Sequence, residues 1–191
     1  TANDFYTPGT QPNKLTQRVA NAAGCAACHG YYDPEREPFM MWAGSMMAQA
    51  SRDPIFHACM TIANQDADFA GDMCLRCHTP GGWLMGRVVD APDGANLQEV
   101  DKQGVSCNIC HRMVDPVYRP GESPAEDESI LATILVPVLT PHNASLIMDP
   151  MDRRRGPFDI SDTNPHPWLQ SPYHRSSQLC ASCHDVSNPV Y

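Results

Sequence analysis

The sequence predicts a mostly irregular chain with short α-helices and little β-structure. Proline makes up 18 of the 191 residues, and it breaks long helices and wide sheets because it lacks the N–H and clashes in helix interiors. The longest apolar stretch, 130–139, is interrupted by Pro137. Four copies of Cys-x-x-Cys-His are spread along the chain. We therefore expect something other than backbone hydrogen-bond ladders to hold the chain together.

Short helices are predicted around the first motif. Residues 13–23 are expected to form the first helix, with Gly24 as its C-terminal stop. Residues 39–51 are expected to form a second helix that is rich in methionine. Asp53-Pro54 opens a third helix through about residue 64, because aspartate caps helix N-termini and proline fits the first helical position.

The remaining segments give weaker signals. Residues 80–82 predict a glycine-rich turn, and 97–103 predict one or two helical turns before the third motif. Between the third and fourth motifs, 122–128 predict an acidic loop. The apolar stretch 130–139 that follows predicts either a short hairpin or an extended docking segment.

The length and charge of the chain exclude some classes of partner. With 191 residues we predict a single domain over 1–191, with an irregular N-terminal arm at about 1–12. There are 13 Lys and Arg against 22 Asp and Glu, a net charge of −9, which argues against nucleic acid and anionic lipid as partners. No run of about 18 apolar residues occurs, so no membrane span is expected. The opening Thr-Ala-Asn-Asp, without Met, fits an exported chain after leader cleavage.

Each motif has two cysteines three residues apart, followed at once by a histidine. On a helical turn both thiols lie on one side and can form thioethers with haem vinyl groups, while the histidine ligates the iron. Zinc sites and redox dithiols also use Cys-x-x-Cys, but neither needs the adjoining histidine. We predict four covalently attached c-type haems (haem c) that form much of the core. The residues are Cys25, Cys28 and His29; Cys74, Cys77 and His78; Cys107, Cys110 and His111; and Cys180, Cys183 and His184.

The histidine count predicts the sixth ligand of each iron. Besides the four motif histidines, the chain has His57, His142, His166 and His174, so four distal ligands are available for bis-His ligation. Methionine is the competing ligand, but we interpret the ten methionines mainly as soft packing against haem faces. His174 precedes Cys180 by only six residues, too close to reach over the ring attached there. We therefore expect it to ligate a different haem.

Two features lie outside the motifs. Cys59 is the ninth cysteine, and we interpret it as a small buried hydrophobe, the alternative being an intermolecular link or a reactive thiol. The run 153–155 consists of three arginines. It is either a solvated charge run or a partner for haem propionates, since Arg forks bind carboxylates well. We favour propionate pairing for at least one of them.

Closed irons favour electron transfer over catalysis. Haem enzymes that activate small molecules generally need an open coordination position, and bis-His ligation at every iron leaves none. Four haems within 191 residues must also lie close together and can relay electrons. We therefore expect an electron carrier and not an enzyme. A reductase with one open haem is the alternative.

Several stretches resemble the multihaem c-type cytochromes on the outer surface of metal-reducing microbes. They include Met-Trp-Ala-Gly-Ser-Met-Met at 41–47 and Gly-Val-Ser-Cys-Asn-Ile-Cys-His-Arg-Met at 104–113. Size and haem count are most similar to the tetrahaem filament-forming (OmcE-type) members and their archaeal relatives. The other matching stretches are 52–54, 74–80 with 82–83, 154–158, 166–174 and 179–189.

The resemblance implies an extracellular filament, or nanowire, of identical subunits in a helical homopolymer. It implies haems stacked into one continuous chain that exports electrons to redox partners or minerals. It also implies that one axial histidine comes from a neighbouring subunit, with His142 preferred over His57 for that role. The location would be extracellular or at the outer cell surface, the alternative being a monomeric periplasmic tetrahaem shuttle.

Overall fold

The computed structural model describes residues 8–160 and 165–187. They form two compact units, which we treat separately: the first contains Val19–Ile109, and the second combines described residues of 6–18 and 110–191. The expectation of a single domain over 1–191 stays a prediction. Of the expected N-terminal arm, 1–7 lie outside the described residues, and 8–12 contain no helix or strand.

The first unit consists of short helices joined by irregular segments. Its centre is formed by Leu75, Trp83, Leu84 and Val88, all nearly inaccessible to solvent, and the Arg76 guanidinium lies 4.1 Å from the centroid of the Trp83 ring. These residues pack the helix of the second motif against the helix that follows it. The helices are α1 (Ala22–His29), α2 (Pro38–Ala43), α3 (Met46–Gln49), α4 (Pro54–Asp66), α5 (Ala70–His78), α6 (Pro80–Leu84) and a 3₁₀ helix at Glu99–Gln103.

The second unit combines helices with two short strands. Strands β1 and β2 pair in parallel, with Arg154 opposite Trp168 and Gly156 opposite Gln170. A small apolar core is formed by Val114, Ile130, Val138 and Ile147. The elements are α7 (Cys107–Arg112, which begins in the first unit), α8 (Ala125–Leu131), β1 (Arg154–Gly156), β2 (Trp168–Gln170), a 3₁₀ helix at Pro172–Arg175 and α9 (Ser177–His184).

The predicted fold class is confirmed at the level of secondary structure. Short helices and irregular segments dominate, and β1 with β2 is the one sheet within 8–160 and 165–187. None of the helices in those two stretches has the length and apolar character needed to cross a membrane.

Two of the three helices predicted around the first motif differ from expectation. The helix expected at 13–23 is wrong: α1 begins only at Ala22, capped by the Asn21 side chain, and Gly24 lies inside it. The methionine-rich helix is split into α2 and α3, because the Ser45 hydroxyl accepts the Ala48 N–H and starts a new helix. The third prediction is confirmed, since the Asp53 side chain accepts the Ile55 N–H and opens α4.

Two predicted loops are helical. The glycine-rich turn at 80–82 forms α6, in which Gly82 is buried and an added Cβ would lie 2.5 Å from Leu97. The acidic loop at 122–128 largely forms α8, because acidic residues in a first turn favour the positive end of the helix dipole. The apolar stretch 130–139 forms no hairpin, since it contributes Ile130 and Val138 to the apolar core without strand pairing.

Candidate haem-attachment sites

All four Cys-x-x-Cys-His motifs lie on helices, namely α1, α5, α7 and α9. Three of these helices end at the motif histidine, and α7 extends one residue further to Arg112. Residues three apart on an α-helix share one side, so each motif presents its two thiols together. None of the nine cysteines forms a disulfide. Two thiols on one side of a helix, with no disulfide between them, are the local geometry that attachment of two haem vinyl groups requires.

The ring of His78 is held from two directions. Its Nδ1 lies 3.0 Å from the Ala50 carbonyl oxygen, to which it can donate. The Phe56 ring stacks on it, with centroids 3.8 Å apart and planes 5° from parallel. A backbone carbonyl on Nδ1 fixes the tautomer that carries its lone pair on Nε2, as is usual for metal-binding histidines.

The ring of His111 is oriented in the same way. Its Nδ1 lies 2.7 Å from the Arg155 carbonyl oxygen in β1. The next residue, Arg112, is fully buried and donates to the Asp149 and Gln17 carbonyl oxygens. These contacts fix the C-terminal end of α7, and with it the histidine of the third motif.

His174 lies beside the third motif, although it is close in sequence to the fourth. Its Nε2 is 2.9 Å from the Cys110 carbonyl oxygen. Its ring centroid is 6.2 Å from that of His111, with the two planes 14° from parallel. Burial lowers the pKa of His174 to about 4. The imidazole is therefore neutral at pH 7, the form that a metal ligand needs.

The three arginines at 153–155 pair with carboxylates of the protein. Arg155 and its partners Asp127 and Asp149 are fully buried, with guanidinium–carboxylate distances of 2.6 and 2.7 Å. Arg153 also binds Asp149, at 2.8 Å, and Arg154 binds Asp152. This differs from the expected propionate pairing, because aspartates nearby in the fold already take these guanidinium groups.

The charges in this cluster shift two carboxyl groups in opposite directions. Burial alone would raise the pKa of Asp149, but hydrogen bonds from Arg153 and the charge of Arg155 outweigh it, and the pKa is lowered. Burial raises the pKa of Asp127, although Arg155 acts in the opposite sense. Asp149 is therefore the carboxylate that anchors the cluster.

The other predicted distal histidines lie elsewhere in their units. His57, on α4, has its Nε2 3.0 Å from the Ser51 carbonyl oxygen, next to the carbonyl that holds His78. His142 has its Nδ1 2.7 Å from the Thr140 carbonyl oxygen. His166 is half-buried just before β2, with its Nδ1 3.4 Å from the Pro167 carbonyl oxygen. Each remains a predicted ligand.

Asn143 and Ala144 place His142 next to the fourth motif. Both adopt left-handed backbone conformations, with φ of 46° and 53°. Their N–H groups donate to the carbonyl oxygens of Asp185 and Ser182, at the C-terminal end of α9. The two residues that follow His142 thus attach this segment to the end of the helix of the fourth motif by two backbone hydrogen bonds.

The cysteine thiols outside and inside the motifs differ in environment. Cys59 is exposed on α4, so the expectation of a buried hydrophobe is wrong. Burial raises the pKa of the Cys110 thiol to about 11, and nearby Cys180 contributes in the same direction. Cys110 of the third motif and Cys180 of the fourth motif therefore lie near one another within the second unit.

The sequence did not predict several groups that orient the motif histidines or bind the arginine run. Phe56 carried one usable signal, its position beside His57 at the start of a predicted helix. The carbonyl groups of Ala50 and Arg155 carried none, because any residue supplies a carbonyl. Asp149 could have been suspected, because it lies only four and six residues before Arg153 and Arg155. Asp127 lies 28 residues from Arg155, and no local pattern pairs the two.

The fold is similar to that of a solved multihaem protein, the penta-heme cytochrome c552 from Thermochromatium tepidum. The TM-score is 0.50 and the sequence identity 21%. The similarity covers 87% of this chain but 46% of that one, so the chain spans about half the length of this structural relative. No family model and no curated protein matches the sequence. The similarity shows that this chain has a fold found in a multihaem c-type cytochrome.

Proposed function

We propose that this chain transfers electrons through four c-type haems, one attached at each Cys-x-x-Cys-His motif. The observation that carries the proposal is the common geometry of the motifs. Each lies on a helix that presents two thiols on one side and ends at, or one residue after, its histidine. The haem irons would supply the redox chemistry. The likeness to a penta-heme cytochrome supports the same class of function, with four motifs here instead of five haems.

The environment of the motif histidines supports haem as the bound group. In both His78 and His111 a backbone carbonyl accepts from Nδ1, which directs the lone pair to Nε2. The thioethers would form at Cys25, Cys28, Cys74, Cys77, Cys107, Cys110, Cys180 and Cys183. Each iron would be held by one motif histidine and by one further histidine. The motif histidines are His29, His78, His111 and His184, and the further histidines are His57, His142, His166 and His174.

Bis-His ligation at all four irons makes catalysis at haem unfavourable. A six-coordinate iron with two protein ligands has no position for a substrate. The protein would then tune each potential through ligand orientation, burial and nearby charge. We therefore propose an electron carrier that is not an enzyme.

We further propose that the chain is the repeating subunit of an extracellular cytochrome filament. The support for this is the sequence resemblance to filament-forming tetrahaem cytochromes, together with the environment of His142. The Nδ1 of His142 is paired with the Thr140 carbonyl and the ring is half-buried, so a lone pair on Nε2 can serve an iron of a neighbouring subunit. The alternative assembly is a monomeric periplasmic shuttle.

Haem content and spin state test the electron-transfer proposal. The chain is produced with covalent haem attachment and studied in its native assembly, and haem is quantified per chain by the pyridine haemochrome spectrum. We expect four haems, all low-spin, with no change on adding carbon monoxide. The variant Cys107→Ala/Cys110→Ala is the control and should retain three. Fewer than four haems in the native chain, or a carbon-monoxide adduct, would contradict the proposal.

Electron microscopy tests the assembly. Native material should contain filaments, and His142→Ala should yield discrete particles in which one haem is high-spin. His166→Ala is the matched control: it should remove the sixth ligand of one iron, and that haem should become high-spin, but filaments should still form. Discrete particles in native material would favour the shuttle. If His142→Ala and His57→Ala both still form filaments and all their haems remain low-spin, neither histidine is a ligand shared between subunits.

A further inference from the structure

The second unit brings together two imidazoles that are far apart in sequence. His111 closes the third motif on α7, and His174 lies on the 3₁₀ helix that precedes the fourth motif on α9. Their ring centroids are 6.2 Å apart and their planes differ by 14°. This distance is too long for the two rings to stack directly on each other.

The separation matches two imidazoles on opposite sides of one metal ion. A metal–nitrogen bond of about 2.0–2.1 Å, with the ring centroid roughly 1.2 Å behind the nitrogen, places two trans rings about 6.4 Å apart. The value depends little on which ring nitrogen binds. The observed 6.2 Å lies close to that figure.

His174 also has a ring nitrogen without a partner. With Nε2 donating to the Cys110 carbonyl, the lone pair of the neutral ring lies on Nδ1. That nitrogen is buried and makes no hydrogen bond. Buried polar atoms are nearly always satisfied, so an orphaned lone pair calls for a further partner.

The same small sheet holds both rings. The Arg155 carbonyl in β1 accepts from His111 Nδ1, and Arg155 pairs with Leu169 in β2. Ser171, the residue just before the 3₁₀ helix that contains His174, donates its N–H to the Gly156 carbonyl of β1. The buried Tyr173, next to His174, binds the Ser182 hydroxyl in α9 through its own hydroxyl.

We propose that His174 is the distal ligand of the iron attached at the third motif, with His111 as its proximal ligand. The segment just before the fourth motif thereby completes the third site. This inference rests on the proposed function, because it presupposes haem at the motifs. It assigns one of the four distal histidines to a particular iron.

The first test is the spin state of two variants of the haem-loaded chain. His174→Ala should convert one haem of the four to a high-spin form that binds carbon monoxide. His174→Met should instead keep that haem low-spin and raise its potential, since His/Met ligation raises haem potentials. The methionine variant keeps a ligand at the position, so it remains informative if the alanine variant folds poorly. No change in spin state or potential in either variant would overturn the inference.

A second test identifies the iron. His174→Ala is introduced into Cys107→Ala/Cys110→Ala, which lacks the third haem. If His174 serves the third iron, the three remaining haems stay low-spin. If it serves another iron, one of the three becomes high-spin and the assignment is wrong. His166→Ala in the same background is the control, expected to open one of the remaining irons.

Electron paramagnetic resonance gives a separate readout. Nearly parallel axial imidazole planes produce a rhombic low-spin ferric signal, whereas perpendicular planes produce a strongly anisotropic one. We expect a rhombic component that disappears in His174→Ala. Its persistence in that variant would contradict the inference. A different result would contradict the proposed function, namely fewer than four haems, or carbon-monoxide binding, in the native chain.

Discussion

Individual side chains and carbonyls orient the motif histidines. The Cys and His positions of the motifs were evident from their spacing, because Cys-x-x-Cys-His dictates its own local chemistry. The partners of those histidines were not, since the Ala50 and Arg155 carbonyls belong to residues whose side chains say nothing about that role. Phe56 carried only its position beside His57 as a signal, because its contact with His78 depends on the packing of α4 against α5.

Replacing Phe56 tests the restraint on His78. Phe56→Leu removes a stacked, buried ring, so we expect the free energy of unfolding to fall by about 1–2 kcal/mol. The hyperfine-shifted NMR resonances of one haem should also move, because the His78 ring can rotate. Phe158→Leu, at an exposed phenylalanine, should change stability by less than about 0.5 kcal/mol. Equal effects of the two substitutions would contradict a specific role for Phe56.

Asp149 is the residue on which the buried charge cluster depends. It accepts from both Arg153 and Arg155 with no side-chain exposure. Asp149→Asn removes one of the two carboxylates that pair with the buried Arg155. Breaking a buried ion pair in this way should lower the free energy of unfolding by about 3–5 kcal/mol. Denaturant unfolding of the haem-loaded protein measures this change.

The matched control for Asp149→Asn is Asp152→Asn. Asp152 pairs with Arg154 and is partly exposed, so its loss should cost at most about 1 kcal/mol. A larger effect at Asp152 than at Asp149 would show that burial does not govern this cluster.

Helices and turns were predictable only where a local signal was strong. Asp53-Pro54 opened α4 as expected, because cap and proline act within one turn. The expected helix at 13–23 failed, because the Thr16 and Gln17 N–H groups donate to the Pro150 carbonyl, far along the chain. Such long-range acceptors leave no trace in a local pattern.

Gly104 controls the entry to the helix of the third motif. Its φ is +62°, and an added Cβ would lie 2.2 Å from the Met47 carbonyl oxygen. Gly104→Ala should lower the free energy of unfolding by at least about 1–3 kcal/mol, the usual cost of a strained backbone conformation.

Gly24→Ala is the contrasting substitution. Gly24 lies inside α1, and nothing would lie within 4 Å of the added Cβ, so alanine should raise stability by about 0.5–1 kcal/mol. Thermal unfolding of both variants checks the pair. If Gly24→Ala instead lowered the thermal stability, the expectation that alanine is better tolerated than glycine inside α1 would be contradicted.

At the scale of the whole molecule, the fold class was predictable because proline content and motif number act through composition. The division into two compact units was not, since no linker or change of composition marks the boundary near Cys110. Many large apolar side chains remain exposed, among them Tyr31, Met46, Ile55, Leu135 and Leu139. Bound haem would provide apolar surface for side chains of this kind.

Chain produced without haem attachment should therefore be largely unfolded. We expect weak far-ultraviolet circular dichroism, no cooperative thermal transition and rapid proteolysis, because the cofactors would form much of the core. The haem-loaded chain is the control and should resist the protease. A cooperative transition in haem-free chain would show that the apolar cores of the two units suffice for folding.

The pairing of His174 with His111 has a consequence for the entropy of the unfolded chain. His111 and His174 are 63 positions apart in the sequence, so an iron bonded to both histidines would join distant parts of the polypeptide like a cross-link. In the chain-entropy model, closing a loop of that length stabilises the folded state by about 4 kcal/mol. Thiol reductants that cleave disulfides would leave this cross-link intact. A small protein built largely from irregular segments would then gain through coordination the restraint that other small proteins gain from cystine.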